Sequence, residues 1–280
     1  MSNSSKSSQG MTLVLGGTGK TGRRVVERLK VRGVATRIGS RAAELPFDWE
    51  EPSTWAPVLE DVAAVYILFH PDLAVPGAPT TIRSFVEQAV KNGVRRLVLL
   101  SGRGEEEAQR CERIVQEAGV EWTILRASWF AQNFSEAFMR DLVLGGVVAL
   151  PAGDVREPFV DAEDIADVAV AALTEPGHAN ELYELTGPRL LTFAEAIREI
   201  AGATGREITY VPISQEAFTS ALHEQKVPDD LVALLSYLFS EVLDGRNAHL
   251  NDGVQRALGR EPRDFAEYVR TTAATGAWNP

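Results

Sequence analysis

One cysteine, Cys111, stands in 280 residues. That excludes a disulfide framework and a thiolate metal cluster, and it fits a reducing cytoplasm, where we expect the protein to reside. Histidine is scarce as well. His178, His223 and His249 stand far apart with no carboxylates at ligand spacing, so no metal site is expected. No apolar run approaches the roughly 20 residues that span a bilayer. The opening MSNSSKSSQG is polar, lacks the apolar stretch of a secretory leader and reads as a disordered tail over 1–10. A basic surplus is missing too. Lys plus Arg is 28 against 39 Asp plus Glu, a net charge of −11. Such a surface repels polyanions, which argues against nucleic acid or an anionic membrane as the main partner. There is no G-x-S-x-G elbow and no Cys–His nucleophile pair.

What is present is an ordinary globular composition, 45% hydrophobic and 24% charged, enough for a sizeable core. From Met11 to Leu125, short apolar runs alternate with amphipathic stretches. Thr12–Leu15, Ala35–Gly39, Ala63–Phe69, Arg96–Leu100 and Trp122–Leu125 read as strands. Lys20–Arg32, Thr80–Asn92 and Glu105–Ala118 read as helices, each followed closely by a glycine stop. This alternation predicts an α/β fold, a Rossmann-type doubly wound parallel sheet. Beyond it, helices are expected at Asp164–Leu173, Phe193–Ala203 and Asp230–Leu243. Short strands are expected at Val147–Leu150, Tyr183–Leu185 and Ile208–Val211. We therefore expect a nucleotide-binding domain over 11–150. A smaller α+β lobe, with returns to the sheet, is expected over 151–280. Thr192 to Glu195 reads as a capping box, and Asp161 and Asp164 as acids suited to a helix start.

The informative motif is Gly16-Gly17-Thr18-Gly19-Lys20-Thr21-Gly22, directly after a strand and opening a helix. Glycines let a diphosphate approach the backbone, and helix-terminal amides supply donors. A Walker-type loop would need glycine where Val14 stands, so the spacing of Gly16, Gly19 and Gly22 favours a dinucleotide loop instead. At the second strand's end the chain reads Gly39-Ser40-Arg41, with no acid to hold a ribose diol. Arg41 can pair with a 2′-phosphate, so NADP(H) is expected over NAD(H). Asp48 is placed to meet the adenine edge. Phe130, Phe134 and Phe138 recur at helical spacing, as either core or the wall of a substrate pocket.

Together these pieces resemble the NmrA-like branch of the atypical short-chain dehydrogenase/reductases, from about Met11 to the C-terminus. The matching segments are VLGGTGKTGRRV, AVYILF with His70-Pro71, LVLLS ending at Ser101, EWTILRASWFAQNF and PFVDAEDIADVAVAAL. LYELTGPRLLTFAEAI, GREITYVPIS and DGRNA match as well. Within that branch the chain is similar to the ergot-alkaloid-type reductases, the festuclavine and agroclavine synthases. The resemblance implies NADPH at Gly16, Thr18, Gly19, Lys20, Thr21, Gly22 and Arg41, with Ser40 alongside. It implies that Leu68, Phe69 and His70 pass the cofactor ribose and that Ser101 lies near the nicotinamide. Ala127, Ser128, Trp129, Phe130 and Asn133 would line the nicotinamide and substrate side.

The usual proton donor of these enzymes, Tyr-x-x-x-Lys, is absent. The residues four places after Tyr66, Tyr183, Tyr210, Tyr237 and Tyr268 are His70, Gly187, Ser214, Glu241 and Thr272. Two readings stay open. One is an NADPH reductase of an iminium, quinone or other activated small molecule, with Ser101 or His70 assisting. The other is an NADP(H)-sensing regulator without turnover. A homodimer is compatible with either.

Overall fold

The computed structural model describes residues 10–279. The tail expected over 1–10 lies outside the described residues except for Gly10. In chain order the first elements are β1 (Met11–Leu15), α1 (Lys20–Val31), β2 (Thr36–Gly39), α2 (Trp55–Leu59), β3 (Val62–Ile67) and α3 (Ala78–Lys91). Then come β4 (Arg96–Gly102), α4 (Glu106–Gln116), β5 (Glu121–Ala127), α5 (Asn133–Glu136), α6 (Phe138–Leu144) and β6 (Val147–Leu150). They are followed by β7 (Arg156–Glu157), α7 (Ala162–Thr174), β8 (Glu181–Leu185), β9 (Leu191–Thr192), α8 (Phe193–Thr204) and β10 (Thr209–Pro212). The chain ends in α9 (Gln215–Glu224), α10 (Asp229–Tyr237), α11 (Gly253–Leu258) and α12 (Phe265–Ala274).

Six strands form a parallel sheet of order β2-β1-β3-β4-β5-β8. The register pairs Leu15 with Gly39, Val14 with Tyr66 and Ile67 with Leu99. The chain leaves β1 toward β2 on one side and returns to β3 on the other. That reversal makes the carboxyl ends of β1 and β3 the topological switch point, the usual ligand position in such sheets.

The chain divides into two compact units, and not at one point. Of the described residues, the first comprises 10–101, 107–125 and 166–182; the second comprises 102–106, 126–165 and 183–279. The first has its core where β1, β3 and β4 bury Leu13, Leu15, Val65, Ile67, Leu97 and Leu99. Val25, Val26 and Leu29 of α1 are buried at helical spacing, each side chain contributing about 1.5–3 kcal/mol.

The second unit has its own core around Phe134, Phe159, Phe193, Phe265 and Trp278. β6 pairs in parallel with β10, and β7 antiparallel with β9. Thr192 and Glu195 form the expected capping box on α8. Asp161 accepts from the Glu163 amide at the start of α7 (2.8 Å). Asp164 stands in the first turn of α7, as expected, and ion pairs hold it there as well. It is fully buried and accepts from Arg260 (2.6 Å), from the Arg263 amide (2.7 Å) and from the Arg263 guanidinium. The expected helix Asp230–Leu243 ends at Tyr237, and one wider turn over Leu238–Val242 completes it. Among the described residues no helix is long and apolar enough to cross a membrane.

Candidate functional site

The turn between β1 and α1 is built from backbone alone. Gly16 takes a left-handed φ of 63°, which a side chain would strain. Its amide donates to the Gly39 carbonyl (2.9 Å), tying the turn to the tip of β2. Its own carbonyl accepts from the Gly19 amide (2.8 Å). A β-carbon on Gly22 would overlap that same carbonyl, so only glycine lets the first turn of α1 close against Gly16. Gly19 caps α1 without a side-chain hydrogen bond, and no acid occupies the first turn. The helix start therefore presents main-chain donors and its dipole uncountered by side-chain charge. The cradle fits an anionic diphosphate.

The other site residues expected in the first unit are held in different ways. Thr18 is exposed and Lys20 half-buried. Thr21 turns inward, where its hydroxyl accepts from the buried Tyr66 hydroxyl (3.0 Å). Burial pushes the Tyr66 phenol well above its ordinary range, so it stays protonated. Ser40 closes the β2 turn, its carbonyl accepting from the Ala43 and Phe47 amides. Arg41 is exposed and pairs with no carboxylate among the described residues. The Asp48 carboxylate accepts from the Glu50 amide (3.1 Å), and its carbonyl accepts from the Trp55 indole (2.7 Å). Beyond β3, the Leu68 carbonyl accepts from the Trp49 indole (3.1 Å), Phe69 packs on Trp49 and His70 is exposed. Ser101 is buried at the end of β4 and donates to Glu112 (2.6 Å). That bond holds the hydroxyl against α4. The signal missed in the sequence is Glu112, a carboxylate on the inward face set by Ala108, Cys111 and Val115.

The second unit carries the residues expected to line a substrate. Trp129 packs against Phe193 (5.6 Å) and Phe239 (5.0 Å). Phe130 bridges to Val160, and Asn133 opens α5. Phe130, Phe134 and Phe138 do not share one helix as their spacing suggests. Phe130 precedes α5, Ala137 is extended (φ −139°), and Phe138 starts a new helix. Phe134 is fully buried against Phe159 and Phe265.

A buried polar cluster lies in the same unit. Arg103 donates to Ser128 (3.0 Å) and the Asn247 carbonyl (3.2 Å), and its Nη2 lies 2.7 Å from His249 Nε2. Arginine only donates, so His249 must accept through Nε2. Arg103 also pairs with Glu184 (3.4 Å). Glu157 is completely buried, and neither carboxylate oxygen has a hydrogen-bond partner among the described residues. Burial pushes its pKa up to about 7, against the opposing charge of Arg103. The sequence signal was an acid set beside the apolar run Phe159-Val160.

A sequence profile described as NAD(P)H-binding matches residues 16–176, and one described as the NmrA-like family matches 106–269. The chain belongs to the NmrA-like family of NAD(P)H-binding oxidoreductases. It is 34% identical to an agroclavine dehydrogenase of Claviceps fusiformis, over 92% of this chain and 96% of that protein. It is 30% identical to an NAD(P)H azoreductase of Xenophilus azovorans, over 94% and 98% respectively. Among solved structures it is similar to an NADPH-dependent quinone oxidoreductase of Escherichia coli complexed with NADPH. The TM-score is 0.77 at 21% identity, covering 93% of this chain and 99% of that one.

Proposed function

We infer that this protein is an NADPH-dependent reductase of an activated small molecule: an iminium, a quinone or another conjugated acceptor. The carrying observation is a diphosphate cradle without the customary acid. NADPH, when bound, supplies a hydride. The amides after Gly19 and the turn at Gly16 hold the diphosphate. Arg41, which has no carboxylate partner among the described residues, reaches a 2′-phosphate.

No tyrosine is followed four places on by lysine. The Tyr66 and Tyr268 hydroxyls are occupied by Thr21 and Ser135, and the Ser101 hydroxyl by Glu112. A substrate that needs a strong acid as hydride arrives is therefore poorly served. An acceptor that delocalises or neutralises the incoming charge needs only orientation and a dry site. The names of two relatives, an azoreductase and a quinone oxidoreductase, support that class. Trp129, Phe130 and Asn133 are assigned to the substrate side.

The test is loss of NADPH absorbance with a panel of quinones, azo dyes, cyclic iminium salts and simple ketones. Turnover of conjugated acceptors, with ketones inert, supports the reading. Tight NADPH binding with no turnover across the panel would replace it with a regulator that reads coenzyme state.

A further inference from the structure

We propose that Trp49 is a positioning residue for the coenzyme, fixing the segment after β3 through its hydrogen bond to the Leu68 carbonyl. This rests on the coenzyme reading above and deepens it.

Leu68 lies one residue beyond the last paired position of β3, where Ile67 opposes Leu99. Its carbonyl has left the ladder and takes its proton from an indole nineteen residues back in sequence, Trp49 Nε1 at 3.1 Å. The Leu68 side chain in turn packs on the glycine turn. A β-carbon on Gly16 would come within 2.8 Å of Leu68 Cδ2. One chain of contacts therefore runs from Trp49 through Leu68 to Gly16. It lies at the carboxyl ends of β1 and β3, the topological switch point where a dinucleotide lies in such sheets.

The indole is firmly aimed. Its ring meets Phe47 (4.9 Å), Phe85 (5.1 Å) and Phe69 (4.9 Å), and Trp55 stands at 6.0 Å. The backbone just before it is pinned, because Trp55 donates to the Asp48 carbonyl and Thr54 accepts from the Asp48 amide (3.0 Å). Phenylalanine keeps an aromatic ring at this place in the cluster, though a smaller one. What only tryptophan adds is a donor directed at the loop carbonyl. Without it, Leu68 to His70 must be ordered when coenzyme binds, and that ordering subtracts from affinity.

The experiment compares wild type, Trp49→Phe and Phe85→Leu by calorimetric titration with NADPH and by steady-state kinetics. Phe85→Leu removes one ring contact on the α3 side and leaves the indole held by Phe47, Phe69 and Trp55, so its bond to the Leu68 carbonyl survives. Trp49→Phe should raise the NADPH Kd about three- to tenfold, the worth of one net hydrogen bond. The KM for NADPH should rise in step, with kcat at saturation within about twofold of wild type. Phe85→Leu should leave the Kd within about twofold while lowering thermal stability at least as much. Equal Kd values for Trp49→Phe and wild type would overturn the proposal. So would an equal loss in Phe85→Leu, which would make Trp49 a packing residue. Should Trp49→Phe fail to fold, hydrogen exchange on the wild type decides. NADPH must slow exchange at 47–55 together with 68–70, and protection confined to the glycine turn overturns the proposal. A wild type that binds no coenzyme at all defeats the functional reading itself, and this inference with it.

Discussion

A β-carbon on Gly22 would overlap the carbonyl oxygen of Gly16. The obstacle is backbone, which cannot swing aside as a side-chain end can. The first turn of α1 and the bend after β1 are therefore one rigid object, set by two glycines six residues apart.

Gly22→Ala should consequently separate fold from ligand. Overpacking of this kind costs about 1–3 kcal/mol, so the protein still folds with a lowered Tm. The turn opens, its amides lose their common focus, and NADPH affinity falls by at least about tenfold. Calorimetry together with thermal melts checks both halves.

In the proposed function, Arg41 is the residue that selects NADPH over NADH. It is exposed at the β2 tip, and no carboxylate among the described residues claims it. Arg41→Ala should weaken NADPH by roughly ten- to hundredfold, the range of a charge-assisted hydrogen bond, and leave NADH nearly unchanged. The loss should shrink as salt is raised. Parallel titrations with the two coenzymes provide the check; equal losses would remove Arg41 from the discrimination.

Glu157 should make stability depend on pH. Its folded pKa is raised to about 7 from an ordinary 4.5, chiefly by burial, with Arg103 opposing. The folded state therefore holds a proton that the unfolded chain has released. Stability falls as pH rises between those values, and the full penalty is present above about 7, at most roughly 3 kcal/mol. Glu157→Gln removes the ionisation. Its Tm should exceed that of wild type at about pH 8, and the gap should narrow toward about pH 5. A gap independent of pH would contradict the assignment.

Asp164 is a buried charge that its partners compensate. Arg260 and Arg263 both reach its carboxylate, and the Arg263 amide adds a third bond. Asp164→Ala leaves two guanidinium groups turned toward an empty site and should cost about 3–5 kcal/mol. Denaturant unfolding measures it.

The sheet was legible in the sequence because buried parallel strands and glycine-stopped helices have periods that local side chains enforce. Ala63–Phe69 and Arg96–Leu100 needed no tertiary information to be read as strands. The glycine turn was legible for the same reason, since its spacing reflects backbone sterics. The partners of polar groups were not. Thr21 is expected at the coenzyme, and the sequence does not show that its hydroxyl is bonded to Tyr66, 45 residues away. Ser101 is expected near the nicotinamide, and its bond to Glu112 is equally invisible in the sequence. Phe130, Phe134 and Phe138 have helical spacing, but the extended Ala137 breaks the helix through them. In each case the deciding contact is distant in sequence or depends on one dihedral angle that composition does not dictate. The chain's division into interleaved units, with 166–182 returning to the first, is likewise a property of topology.

The most direct test of the account is a calorimetric titration of the wild-type protein with NADPH and with NADH. The account predicts one coenzyme per chain and a distinctly lower Kd for NADPH. Absence of heat with both coenzymes, at concentrations where a known family member saturates, would contradict it.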